Sequence, residues 1–208
     1  MKLNNRLQLA FFQAAGYLIV GMLIATSTSV SVLANLAGQL SEDQPSLRSQ
    51  LVQTANNLLN QGDLPGAEKS LRQLIKNYPQ DAFGHYQLGN VLFRQGKNED
   101  AIAQYRQAIR LNSKYAVAYN AIGVVLASQK RWDEAIAQYN RALRINANYG
   151  DALTNLAQAL WEKGQKNEAI ASLEKALQVF QAQDRPERVE QIKKILQQIK
   201  GDEEPHVS

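Results

Sequence analysis

His85 and His206 are the only histidines in this 208-residue chain, and it has no cysteine. A zinc-type centre needs three or four nitrogen or sulfur ligands held together. Two distant imidazoles do not supply them. Without cysteine there is no thiolate nucleophile and no disulfide framework, and no residue for a bacterial lipoprotein anchor to acylate. The chain also lacks a glycine-rich phosphate loop, a nucleophile with a placed base and an isolated carboxylate pair. Glu99-Asp100 and Asp133-Glu134 recur 34 residues apart. Each pair opens a helical pattern, where acids complement the positive end of the helix dipole. His85 falls in an apolar stripe, which predicts a packed imidazole, and Trp132 opens a helix, which predicts packing. The sequence therefore predicts no enzyme, no metal and no cofactor. What remains is the chemistry of contact.

Composition agrees. At 45% apolar and 20% charged residues the chain is not of disordered type. Its formal charge is +4. Lys2 and Arg6 lie in a leader, and all acidic residues stand at Glu42 or later. Beyond the leader the charge falls to +2, a mixed surface rather than the dense basic field of a nucleic-acid binder.

Contact surfaces must be positioned, and the positioning elements are repeats. Residues 82–115 and 116–149 align without a gap and agree at 14 of 34 places, including AIAQY at 101–105 and at 135–139. A fixed period of this size signals a stacked repeat architecture. The period extends to 150–183 through Leu153, Leu156, Ala157, Leu160, Gly164, Ala169, Leu173 and Ala176. It extends more loosely to 48–81 through Leu51, Ala55, Leu58, Gly62, Ala67, Leu71 and Pro79. Ala82, His85, Leu88, Gly89 and Leu92 share one face of a first helix. Ala101, Ile102, Tyr105, Ala108 and Ile109 share one face of a second. Between them Gly96 can take the positive φ that ends a helix, and Asn98 is positioned to cap the next. Each unit is an antiparallel helix pair. Gly89, Gly123, Ala101 and Ala108 are expected to let the paired backbones approach closely. Pro65 suits a helical first turn.

This pattern resembles the tetratricopeptide repeat. His85, Leu88, Gly89, Leu92, Ala101, Tyr105 and Ala108 carry its signature in the second unit. Tyr119, Ile122, Gly123, Leu126, Ala135, Tyr139 and Ala142 carry it in the third. The departures are Thr54-Ala55 for the usual Leu-Gly, and Ser113 and Ala147 where the first unit keeps the closing Pro79. The resemblance implies an all-α fold: a right-handed α-solenoid of four helix pairs (48–81, 82–115, 116–149, 150–183). A capping helix at 184–200 comes next, with an apolar stripe of Val189, Ile192, Ile195, Leu196 and Ile199. Asp184 and Glu187 read as a capping box around Pro186. Residues 201–208 read as a polar, disordered tail.

The family likeness also implies that the first helix of each unit lines a concave surface. Positions off the packing stripe then face a groove: Tyr86, Asn90, Phe93 and Arg94; Asn120, Val124 and Ala127; Thr154, Asn155, Gln158 and Trp161. Amides hydrogen-bond a peptide backbone, and aromatics anchor with little entropy to lose. The expected function is an adaptor or assembly factor that binds a peptide segment or helix of a protein partner. The alternative is structural self-association at a membrane. Family members that grip the carboxyl-terminal tails of chaperones use a clamp of Lys, Arg and Asn. Here those places hold Val52, Asn56, Gln87, Val117 and Ala121, and only Asn56 fits. The missing cations argue against that partner.

The leader has a logic of its own. Lys2 and Arg6 precede an apolar run from Leu9 to Ala25, broken only by Gln13, and TSTSVSVLANLAG comes after it. This is the three-part plan of a secretory signal, with a cleavage point between Ala34 and Asn35. The run, residues 9–25, is also at the short edge of what spans a bilayer. Removal of residues 1–34 and retention as an anchor are both open. Either way residues 35–47 form a linker, and the positives before the run predict export of the rest of the chain.

Overall fold

The computed structural model describes residues 46–201. Among these are nine α-helices and no strand. They are α1 (Leu47–Asn60), α2 (Leu64–Asn77), α3 (Ala82–Arg94), α4 (Asn98–Leu111) and α5 (Ala116–Ser128). Then come α6 (Trp132–Ile145), α7 (Gly150–Glu162), α8 (Lys166–Ala182) and α9 (Pro186–Gly201). The chain divides into residues 1–47 and 48–208, and the second unit holds the helical body. The expected signal or anchor, most of the linker and the tail from 202 lie outside the described residues. Among the described residues, no helix is long and apolar enough to cross a membrane.

The helices form where apolar residues recur at helical spacing, and the buried sets follow most of the predicted stripes, except that Ala82 and Ile109 are half-buried while Gly84 and Val91 join the buried face. In α3 they are Gly84, His85, Leu88, Gly89, Val91 and Leu92, and in α4 Ala101, Ile102, Tyr105 and Ala108. Consecutive helices pack in pairs, and each pair packs on the next. Among first helices, α3 also touches α5 and α5 touches α7. No comparable packing joins α4 to α6 or α6 to α8. First helices crowd and second helices splay, which is the geometry of a curved right-handed α-solenoid with α3, α5 and α7 on the inner side.

Two of the small residues, Gly89 and Gly123, act differently from the sequence-based expectation. A Cβ built on Gly89 would lie 2.5 Å from the Tyr105 ring, and one on Gly123 would lie 2.4 Å from the Tyr139 ring. These glycines make room for a buried aromatic ring. The equivalent places one repeat out hold Ala55 with Leu71 and Ala157 with Leu173, all buried. Glycine pairs with tyrosine in the middle of the array, and alanine with leucine outside it. The summed volume at the contact is thus roughly kept, as close packing requires.

Two kinds of turn alternate. Within a pair three residues connect the helices, and the middle one is left-handed: Gly62, Gly96, Lys130 and Gly164, at φ +80, +78, +59 and +77. The third residue's N–H closes back on the first helix, as in Lys97 to the Leu92 carbonyl. Helix α4 consequently begins at Asn98 itself. The capping position falls on Lys97, which makes no side-chain cap, so the expected Asn98 cap is not formed. Between pairs the connection is four residues. Where the family's closing proline is missing, Asn112 Oδ1 accepts from Lys114 N–H and Asn146 Oδ1 accepts from Asn148 N–H, each at 3.1 Å. The asparagine turn does the proline's work.

The connection from α8 to α9 breaks the alternation. It is three residues long, its middle residue Asp184 has φ +51, and Arg185 N–H bonds the Phe180 carbonyl. This is the within-pair turn, reached because α8 runs 17 residues where α6 runs 14. Asp184 therefore stands outside the helix start, and the expected Asp184–Glu187 capping box is not made. Pro186 is the first helical residue, where its missing N–H costs nothing. Helix α9 buries Ile192, Leu196 and Ile199 with Leu153, Ala157, Leu173, Val179 and Phe180.

Candidate partner-binding face

The predicted groove residues sit on α3, α5 and α7, and the structure divides them. Arg94 and Gln158 are exposed. Tyr86, Asn90, Phe93, Val124, Thr154, Asn155 and Trp161 are half-buried, and Asn120 is buried at 9% exposure. Phe93, Val124 and Trp161 lean on the core.

The stretch around α3 and α5 is satisfied from within. The Tyr105 hydroxyl donates to Asn90 Oδ1 at 2.8 Å, and Asn90 Nδ2 donates to Gln87 Oε1 at 3.0 Å. Tyr86 lies 5.8 Å from the Tyr105 ring and 5.5 Å, edge-on, from the Tyr115 ring. Asn155 Nδ2 donates to Asn120 Oδ1 at 3.0 Å, tying α7 to α5. Asn120 also hydrogen-bonds Tyr149. Burial, then the neighbouring Tyr86 and Asp151, push the Tyr149 phenol up to about 12, against the pull of that bond. Burial raises Tyr105 as well. Asn90, Asn120 and Asn155, expected to offer amides to a ligand, each use part of their hydrogen-bonding capacity within the protein.

The stretch at α7 is open. Thr154, Gln158 and Trp161 line a cleft of about 490 Å³ with Gln191, Ile195 and Gln198 of α9, over a floor of Ala169 and Leu173 from α8. Helix α9 packs chiefly on α8 and also reaches α7, where Arg188 pairs with Asp151 and Ile192, Leu196 and Ile199 share a core with Leu153 and Ala157; the cleft opens beside these contacts. Lys166 Nζ stands 5.3 Å over the Trp161 ring and fixes one of its faces. Sequence reasoning missed Gln191, Ile195 and Gln198 because α9 read only as a cover. Its one signal was a stripe wider than a cover needs, with Ile195 left half-buried.

The other chemistry is structural. His85 is buried, with Nδ1 2.8 Å from Gln104 Oε1 and Nε2 3.3 Å from the Pro79 carbonyl. Trp132 packs on the core. Among the described residues no cluster of histidine and acids could hold a metal. Glu99 and Asp133 take part in links between successive pairs. Gln129 Nε2 donates to Glu99 at 3.1 Å, Lys163 pairs with Asp133, and Lys97 Nζ pairs with Glu68 at 3.1 Å.

Paired helices stacked into a curved array, with an amide-rimmed cleft on the inner side, define a repeat protein built for contact. Sequence patterns of the tetratricopeptide repeat match residues 52–96 and 86–152, and a second such pattern matches 126–199. The chain belongs to the tetratricopeptide repeat family, whose fold serves generally as a protein–protein interaction module. Among solved structures it is similar to a crystal structure of MamA, at 26% identity over 72% of this chain and 86% of that one, with a TM-score of 0.60. It shares its fold with MamA 41-end from Desulfovibrio magneticus RS-1 (15% identity, 77% and 98% covered, TM-score 0.58). It likewise shares it with a K341M mutant of Thermobaculum terrenum O-GlcNAc transferase (19% identity, TM-score 0.55). That match covers 66% of this chain and 26% of the transferase. A comparison with curated proteins found no match.

Proposed function

We propose that this protein is a non-enzymatic adaptor that holds a peptide segment or helix of a protein partner on its concave face, with the grip at the cleft between α7 and α9. One observation carries this reading: Trp161 presents an aromatic ring beside Ile195, over an apolar floor and under a rim of Thr154, Gln158, Gln191 and Gln198. An anchor pocket ringed by amides is what a short apolar-anchored segment requires. The charged start and apolar run of the leader support work on the far side of a membrane, with residues 1–34 either removed or kept as a tether. In the native host, affinity capture with the wild-type chain and with Trp161→Ala tests the cleft. A partner held by the wild type and lost by the variant, at unchanged helical circular dichroism, supports it. A partner held equally by both overturns it.

A further inference from the structure

On the outer side of the array, α4 and α6 form the walls of a second cleft, of about 600 Å³, with α5 as its floor. Ile102, Ile109, Ile122 and Leu126 make its base apolar. Its rim is cationic. Arg106 and Arg110 stand one turn apart on the α4 wall, and Arg141 faces them from α6. Arg131 and Glu134 bind each other through two hydrogen bonds of 2.6 Å, and Glu99 accepts from Gln129. The two carboxylates of the rim are thus engaged. Arg106 and Arg141 make no hydrogen bond or ion pair among the described residues. The next furrow along, between α6 and α8, holds Asn140 and Gln165 at the places of Arg106 and Arg131, and there Lys163 pairs with Asp133. That furrow keeps Arg144 and Lys175 at the places of Arg110 and Arg141, so what sets the first cleft apart is Arg106, which faces Arg141 across an apolar base.

We infer that this outer cleft is a second docking site, independent of the concave face, for an acidic protein segment that carries aliphatic anchors. Unpaired guanidinium groups on opposite walls recognise carboxylates. The isoleucine and leucine base takes the aliphatic side chains between them. A lone charge patch would need no apolar floor, and a lone apolar furrow would gain nothing from unpaired arginines.

The test is fluorescence anisotropy on the full chain with three labelled peptides. The first is Glu-Glu-Leu-Glu-Glu-Leu-Leu-Glu-Glu, the second has glycine for leucine, and the third has lysine for glutamate. The first binds, the second binds about tenfold or more weakly for loss of the buried leucines, and the third does not bind. Arg106→Glu with Arg141→Glu abolishes binding of the first at unchanged helicity, and Trp161→Ala leaves it intact. The proposal is overturned if the wild type does not bind the first peptide, if the first two bind alike, or if the arginine variant binds as well as the wild type. It is also overturned if phosphatidylcholine–phosphatidylserine vesicles, but not the peptide, are bound through these arginines, which would make the cleft a membrane contact. Loss of the Trp161 cleft's partner in capture, with this binding retained, separates the two sites.

Discussion

The inner face of the array has two halves made of the same kinds of residue, and they are arranged differently. Around α3 and α5, tyrosines and asparagines face one another and close a network. Around α7 and α9, a tryptophan, a threonine and three glutamines surround an opening. What separates the halves is the spacing of the helices behind them. Where first helices touch, polar side chains must satisfy each other. Between α7 and α9 the polar side chains instead rim a cleft.

The contrast can be broken first at its open end. Trp161→Ala is expected to cost about 2–4 kcal/mol of partner affinity, as central aromatic anchors do, while the thermal midpoint moves little. A large fall in the midpoint would make Trp161 a core residue and erase the distinction. In the closed half Gly123→Leu is expected to cost about 1–3 kcal/mol of stability, because the new side chain enters the Tyr139 ring. The milder Gly123→Ala should be rescued by Tyr139→Leu, which reproduces the Ala157–Leu173 pair of the next unit. A double-mutant cycle with no coupling would refute the paired-volume account. Asn120→Ala should cost about 1 kcal/mol or somewhat more by stranding Asn155 and Tyr149. It should leave partner capture unchanged, which captured material from that variant will show.

The smallest effect concerns the ties between pairs. Burial alone would raise the Glu68 carboxyl, but hydrogen bonds from Arg72, Lys97 and Gln95 outweigh it and hold the pKa at about 2, below the ordinary 4.5. A carboxylate depressed in the folded state adds stability above its unfolded pKa and loses it as pH falls toward the folded one. The Glu68 contribution is thus present above pH 4.5 and is lost between there and pH 2. Urea titrations across that window should show a shallower acid decline for Glu68→Gln, and an identical decline would dismiss the tie.

Much of this was legible in the sequence because repeats state their core several times over. Leu88, Ile122 and Leu156 are buried at one position of successive units, and periodicity finds such places. The turns were harder. Asn98 reads as a cap, but the left-handed Gly96 puts the helix start one residue early. Asp184 reads as a cap, yet it occupies the left-handed place itself. Side-chain chemistry suggested the residue, and backbone geometry chose its neighbour. The groove was half legible. Which residues point inward is set by helix phase. Which are already engaged depends on contacts across helices, such as Asn155 with Asn120, at a separation of 35 residues. The arginines of the outer cleft went unremarked because Arg110 matches Arg144 of the next unit and vanishes into the repeat, while the rest read as ordinary surface charge.

The turn before α9 settles how the array could grow. Every unit up to that point hands the chain to its successor through a four-residue step, so another copy could be spliced between any two of them without disturbing phase. After α8 the step is one residue shorter and the preceding helix a turn longer. Yet α9, which starts at Pro186, buries Ile192 and Leu196 at the offsets where α7, which starts at Gly150, buries Leu156 and Leu160. The longer helix offsets the shorter step, so the apolar stripe keeps its phase across that boundary too.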